Sequence, residues 1–386
     1  MTRARIASLL ALQLCLTACS TTPNQAVPTT SADTTADSAQ PAETQQATVT
    51  LVPATEAARK TVHLTFAAVG DMMLGTDYPE NHLPDDDGIG FLAKVAPIIA
   101  SADLSFGNLE GVLVDGGEPA KKCKNPSACY LFRSPTRYAK HFFDAGFDAL
   151  SVANNHARDF GEDGRSSTMV ALSTAGIAHS GRVGDFASLE SGGLTVSFIA
   201  FSVTRNSNLL HDYALAAQTV VEQAAQHDLV VVSFHGGAEG RNMTRIPFAE
   251  EEYFGEPRGD VVRFARSMVD AGADFVFGHG PHVVRGMERY KDRLIAYSLG
   301  NFATYYGISV SGIKGIAPIL MVTVDQQGRF IAGHVHSTEQ VRPGGPQPDA
   351  EQKVLTLLRE LSAEDFVENG LHFHADGRIS KLPRNP

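Results

Sequence analysis

Beyond residue 61 the chain alternates short apolar runs with longer amphipathic segments, and this alternation predicts the fold. Runs at 63–69, 104–106, 149–153, 195–202, 229–234, 275–277 and 293–297 are mostly Val, Ile, Leu, Phe and Ala and stop at Gly or polar residues, as buried strands do. Between them, 91–101, 136–145, 164–175, 210–226 and 261–271 read as helices. Pro135 and Asp163 are start signals, and Gly146, Gly176 and Gly272 are stop signals. Segments 319–324 and 330–336 flank Gln327-Gly328 and predict a hairpin. Strand–helix alternation favours an α/β architecture, and the hairpin with the run 195–204 adds mixed strand directions. A Pro/Gly stretch at 343–348 opens a short C-terminal extension, 343–386, with a helix at 351–361 and a last apolar segment at 371–379. It is expected to pack on the main domain, 62–342.

The first 61 residues follow other rules. Arg3 and Arg5 precede an apolar stretch at 6–16 that is too short to span a bilayer comfortably. It ends in Leu16-Thr17-Ala18-Cys19, which resembles the lipobox of bacterial lipoproteins; an ordinary signal peptide cleaved elsewhere is the competing reading. The lipobox reading makes 1–18 a signal peptide and Cys19 a lipidated N-terminus bound to the membrane, with Ser20 directing it to the outer membrane by Gram-negative sorting rules. Residues 19–61 are Thr, Ala, Ser, Gln and Pro with few large apolar groups, a composition that predicts a flexible tether. In an exported chain, Cys123 and Cys129 are expected to form a disulfide, since no His or further Cys stands near them to make a metal site.

Composition narrows the function. With 43% hydrophobic residues among 386, one large core or two modest ones can form. The net charge of -11, with no Lys/Arg run beyond the N-terminus, excludes the clustered phosphate neutralisation that nucleic-acid binding needs.

Nearly every apolar run ends in metal-capable residues. Gly70-Asp71 closes the first, Asn108-Leu109-Glu110 the second, and Asn154-Asn155-His156 the third. His235-Gly236-Gly237 and Gly278-His279-Gly280-Pro281-His282 close two later ones. In α/β sheets ligands gather beyond the carboxyl ends of strands, so these five ends are expected to converge on one shared metal site.

In this order the clusters resemble the CapA family of capsule and poly-γ-glutamate synthesis, within the calcineurin-like metallophosphoesterases. The resemblance runs from Val62 to Val341. It rests on Gly70-Asp71-Met72-Met73, Asn108-Leu109-Glu110-Gly111, Ala153-Asn154-Asn155-His156 with Asp159-Phe160-Gly161, Gly272-Ala273-Asp274, Gly278-His279-Gly280-Pro281-His282 and Ser298-Leu299-Gly300-Asn301-Phe302. It implies a two-sheet sandwich flanked by helices, with the site on loops at one edge. It also implies metal binding by Asp71, Glu110 or Asn108, Asn155, His235, His279 and His282, with His156 beside the leaving-group oxygen and Asp159 orienting it. The donors are nitrogen and oxygen, which suits one or two ions of Mn, Fe or Zn. Two departures stand out: Met73 replaces the histidine of the superfamily's Asp-x-His, and Glu110 stands for its bridging Asp.

The resemblance implies hydrolysis of a phosphoester by metal-activated hydroxide. Arg133 and Arg205 are candidate substrate-binding cations, each equally readable as an ordinary surface or ion-pair residue. The alternative is a non-catalytic role in handling, exporting or tethering a capsular polymer together with its synthesis machinery.

Overall fold

The computed structural model describes residues 62–122 and 130–382. The expected signal peptide, Cys19 and the tether lie outside the described residues, as do Cys123 and Cys129.

Two sheets face each other. The first runs Leu371–Phe373, Arg378–Lys381, Phe330–Gln340, Ile316–Asp325, His63–Met73, Leu104–Leu109, Ala149–Ser151, Ala178–Ser180, with Asn301–Thr304 also paired to His63–Met73. The second runs Met287–Tyr290, Arg293–Ala296, Phe275–His279, Leu229–His235, Leu194–Ser202, Ala187–Ser191. His63–Met73, Leu104–Leu109, Ala149–Ser151 and Ala178–Ser180 pair in parallel, as do Leu194–Ser202, Leu229–His235, Phe275–His279 and Arg293–Ala296. Mixed direction enters through antiparallel pairing with Ile316–Asp325 and its hairpin partner Phe330–Gln340.

Period-two alternation explains the layers. In the first strand Leu64, Phe66 and Ala68 point between the sheets, whereas Ala67 and Val69 meet the outer helices. Leu229 and Val231 likewise face inward, and Val230, Val232 and Phe234 face outward. Helices Ala139–Ala145 and Gly161–Ala175 cover the first sheet, and Tyr213–Ala224 and Val261–Ala271 the second. Asp212 and Asp260 cap the latter pair, each side chain accepting a backbone N–H at 3.0 Å. Aromatic rings tie the sheets together. Phe106 lies 5.0 Å from Phe198 and 5.8 Å from Phe66, centroid to centroid. Helix Lys353–Asp365 adds Val354, Leu355, Leu358 and Leu361 to the same inter-sheet cluster.

The architecture is the expected α/β sandwich of two helix-flanked sheets. Some boundaries differ from the sequence reading. Helix 91–101 shrinks to Ala96–Ile99, because Gly88, Gly90 and the Asp86 carboxylate hold the preceding residues in turns. The helix expected from 164 begins at Gly161, so Asp163 lies in its first turn rather than at its start. The strands run further than their apolar cores and carry Asp71, Asn108, His235 and His279 within them.

Candidate metal centre

Asp71 sits in the first strand between two asparagines in register, Asn108 on one side and Asn301 on the other. Gly70 makes this possible: a Cβ there would lie 1.9 Å from the Gly300 carbonyl oxygen. The close approach lets the Asp71 N–H donate to that oxygen at 2.8 Å. Asn108 Nδ2 donates to Asp71 Oδ1 at 2.8 Å, while its Oδ1 accepts from Asn154 Nδ2 at 3.1 Å. With both ends of its amide engaged, Asn108 orients Asp71. Glu110, fully buried with neither carboxylate oxygen hydrogen-bonded among the described residues, is the open acceptor of the pair.

His282 enters from the second sheet's side. Its backbone is left-handed, φ 58°, which turns the ring between the two carboxylates. Nδ1 lies 2.9 Å from Asp71 Oδ2 and 3.0 Å from Asn301 Oδ1, and Nε2 lies 3.6 Å from Glu110 Oε1. Ligand atoms of Asp71, Glu110 and His282 all fall within 4.8 Å of one another. His235 and His279 stand side by side on adjacent parallel strands. His279 Nδ1 is 3.6 Å from Asp71 Oδ1, and both its ring nitrogens are buried without hydrogen-bond partners, as is His235 Nδ1. Asn155 lies in the loop between Asn154 and His156, its Oδ1 buried and likewise unpartnered.

Electrostatics follow from burial and from this crowding. Burial alone would raise the Asp71 pKa, but the hydrogen bond and charge of His282, with His279 and His235 adding, hold it well below the usual carboxylate range. Burial first, and the Asp71 charge second, push Glu110 well above its ordinary value. For His282 burial works downward, yet Glu110 and Asp71 raise its pKa to about 10. Burial lowers His279 to about 4, and burial with the Arg258 charge lowers His235 far below its usual value.

His156 completes the arrangement. Its Nδ1 is 2.7 Å from Asp159 Oδ2, Phe132 packs on the ring at 4.3 Å, and Nε2 points toward Glu110 Oε1 at 4.0 Å. Asp159 is itself fixed by the Phe132 N–H at 2.9 Å and by Lys121 Nζ at 3.2 Å. Burial, outweighing Asp159, keeps the His156 pKa below its normal value. The ring is therefore neutral at neutral pH, with its proton directed to Asp159.

Met73, in the place of the expected ligand histidine, is buried with Phe132 and Ile308, and its sulfur accepts from the Gly75 N–H at 3.3 Å. Arg133 is committed to Asp77 at 2.5 Å, to the Gly117 carbonyl at 2.9 Å and to the rings of Tyr78 and Phe160. Arg205 is exposed. Among the described residues no hydrogen bond or ion pair joins either arginine to the centre.

Sequence reasoning gave no role to Asn154, Glu239, Arg258 or Asn301. Asn154 and Asn301 belong to strings already singled out, so adjacency to a candidate ligand was their available signal. Glu239 and Arg258 lie in the loop and short strand after His235, where no periodicity or motif marks them.

Comparison with known proteins agrees with the geometry. Residues 65–306 match the model of the family described as Bacterial capsule synthesis protein PGA_cap. The capsule biosynthesis protein CapA of Bacillus anthracis is 30% identical over 269 residues, covering 63% of this chain and 60% of that protein. The PGA biosynthesis protein CapA of Bacillus subtilis is 27% identical over 318 residues, 78% of each chain. The crystal structure of a putative 5'-nucleotidase from Staphylococcus aureus superposes with a TM-score of 0.39 at 16% identity, over 78% of this chain and 58% of that one, a likeness too slight to argue from. By a family match that spans well over half of its length, the chain belongs to the PGA_cap family of bacterial capsule synthesis proteins.

Proposed function

We propose that this protein is a divalent-metal-dependent hydrolase of phosphoester-type bonds, serving capsule or exopolymer biosynthesis at the cell envelope. The observation that carries this reading is the set of buried polar atoms beside Asp71 left without partners among the described residues: both Glu110 oxygens and both His279 nitrogens. Buried groups of this kind are ordinarily hydrogen-bonded, and so many in one place fit a cation with oxygen and nitrogen ligands.

Asp71, Glu110 and His282 would form the heart of the ligand set, with Asn155 and His279 as further candidates. The ion, when bound, would acidify a water molecule and offset the negative charge of phosphoryl oxygens. Asn108 and Asn301 hold Asp71 and His282 in place. His156 stands ready to move a proton at Nε2, because Asp159 accepts the Nδ1 proton and fixes the ring. Phe132, packed on that ring, keeps water from its face.

Capsule synthesis as the setting is supported by the family and by the names of its Bacillus relatives. Attachment to the envelope through a lipid on Cys19 is supported by the Leu16–Cys19 sequence, and a polymer or its synthetic machinery would be the partner. A non-catalytic, polymer-handling role is favoured by one observation, the replacement of an expected ligand by Met73. Metal analysis of the purified protein, with assays on phosphomonoesters and diesters in added Mn, Fe or Zn, decides between them. Turnover lost in Asp71→Asn and His279→Ala supports the hydrolase; bound metal without turnover on any such ester supports the polymer-handling role.

A further inference from the structure

Arg258 is fully buried, yet no step above uses it. It lies on the short strand Glu256–Gly259. Its Nε donates to the Gly237 carbonyl at 2.9 Å, and Nη1 reaches Glu256 at 3.4 Å. These contacts hold the guanidinium so that Nη2 faces the centre, 3.2 Å from Glu239 Oε1 and 3.5 Å from His235 Nε2. Space there is tight: a Cβ on Gly280, next to His279, would come within 3.1 Å of Nη2.

A guanidinium keeps its proton even when buried, so this positive charge is permanent. It has no lone pair to offer an ion. It points at His235 Nε2; a neutral ring that accepts there carries its proton on Nδ1, so neither nitrogen then has a lone pair for a second cation, and like charges so close in a buried site repel strongly. Charge balance runs the same way. The carboxylates of Asp71, Glu110 and Glu239 cluster around His282. With an ion bound, Glu110 would be ionised like the other two, and one divalent ion with one guanidinium would cancel the three carboxylates, whereas two divalent ions with the guanidinium would leave an excess of positive charge in a buried place. Glu256 is half exposed, so water screens it and it alters this balance little.

We propose that Arg258 stands, as a fixed cation, where a second divalent ion would otherwise meet His235, so that the centre holds one divalent ion on Asp71, Glu110 and His282. This rests on the metal-centre reading above and refines it: His235 accepts from Arg258 instead of ligating.

The test is a count of ions. The full chain, purified in detergent, is titrated with Mn or Zn by calorimetry, and bound metal is measured by elemental analysis after desalting. The expected result is one ion per chain for the wild type and for Arg258→Lys. Arg258→Ala, which frees His235, is expected to take up a second, weaker ion. His235→Ala is expected to bind its single ion with affinity within about three-fold of wild type, against the tenfold or greater loss typical of a removed ligand or its close support. Two ions in the wild type would overturn the proposal, as would a folded Arg258→Ala that still binds one, or a tenfold loss in His235→Ala. Should Arg258→Ala fail to fold, the wild-type count and His235→Ala still decide. A wild-type chain that binds no ion overturns the metal-centre reading itself, a result distinct from binding two.

Discussion

Asp71 and Asn301 stand opposite each other on paired strands and reach the same atom: His282 Nδ1 lies 2.9 Å from the carboxylate and 3.0 Å from the amide oxygen. Asn301 also donates to the carbonyls of His282, Ser309 and Lys314, so the loop and the imidazole are oriented together. Removing it should act on metal affinity through His282. Asn301→Ala is expected to weaken Mn or Zn binding by about 10- to 100-fold, the usual range for a group that orients a metal ligand. Calorimetric titration would show this, and an unchanged affinity would remove Asn301 from the centre.

The pair His156 and Asp159 predicts a dependence on the leaving group. If His156 Nε2, unprotonated in the neutral ring, first takes up a proton from solvent and then delivers it to the departing oxygen, His156→Ala should slow hydrolysis of alkyl phosphates by about 10²- to 10⁴-fold. Aryl esters whose leaving groups need no proton should be much less affected. Asp159→Asn should show the same pattern more weakly, since the ring is still held by Phe132. Equal losses on both kinds of ester would argue against proton transfer by His156.

Asp274 gives the stability a pH signature. It accepts from the Val230 N–H at 2.9 Å and from Arg293 Nε at 3.0 Å, yet burial pushes its pKa up to about 6 from an ordinary 3.8. Between those values the folded chain keeps a proton that the unfolded chain has released. The contribution is therefore full below pH 3.8 and fades as pH rises through about 6. Two pH units correspond to at most about 3 kcal/mol. Denaturant titrations from pH 4 to pH 7 should show Asp274→Asn with a flatter profile than wild type; parallel profiles would refute the shift.

The aromatic contact between the sheets sets the scale of core packing. Phe106 is fully buried, with Phe66, Phe198 and Phe277 within 6.3 Å of its ring centre. Phe106→Ala should cost about 3–5 kcal/mol, read as a lower denaturation midpoint. A loss below about 1 kcal/mol would mean that the sheets close over the gap.

Long, fully buried strands were legible because their apolar runs leave no other reading: Leu229–His235 and Phe275–His279 were placed within two residues. Short edge strands were not. Ala178–Ser180 and Met287–Tyr290 carry polar residues and are held by neighbours distant in sequence, which no local pattern reports. Within the centre, residues on recognisable strings could be named, including Asp71, Glu110 and the three later histidines. Whether Glu110 or Asn108 offers the open oxygen depended on hydrogen bonds from Asn154 and to Asp71, which only the fold discloses. Arg258 was out of reach altogether, because a buried arginine looks like any surface arginine until its surroundings are known.

Helix Lys353–Asp365 lies well past residue 306, where the family match stops, yet its leucines fill the space between the sheets. The strand Ile316–Asp325, which also follows that limit, borders His63–Met73 along His63–Ala68. A protein shortened to the matched segment would leave the first half of the strand bearing Asp71 an open edge, up to Ala68, and greasy side chains bare. Expression boundaries drawn from the family alignment would thus yield insoluble material, and the tail has to travel with the domain in any recombinant version.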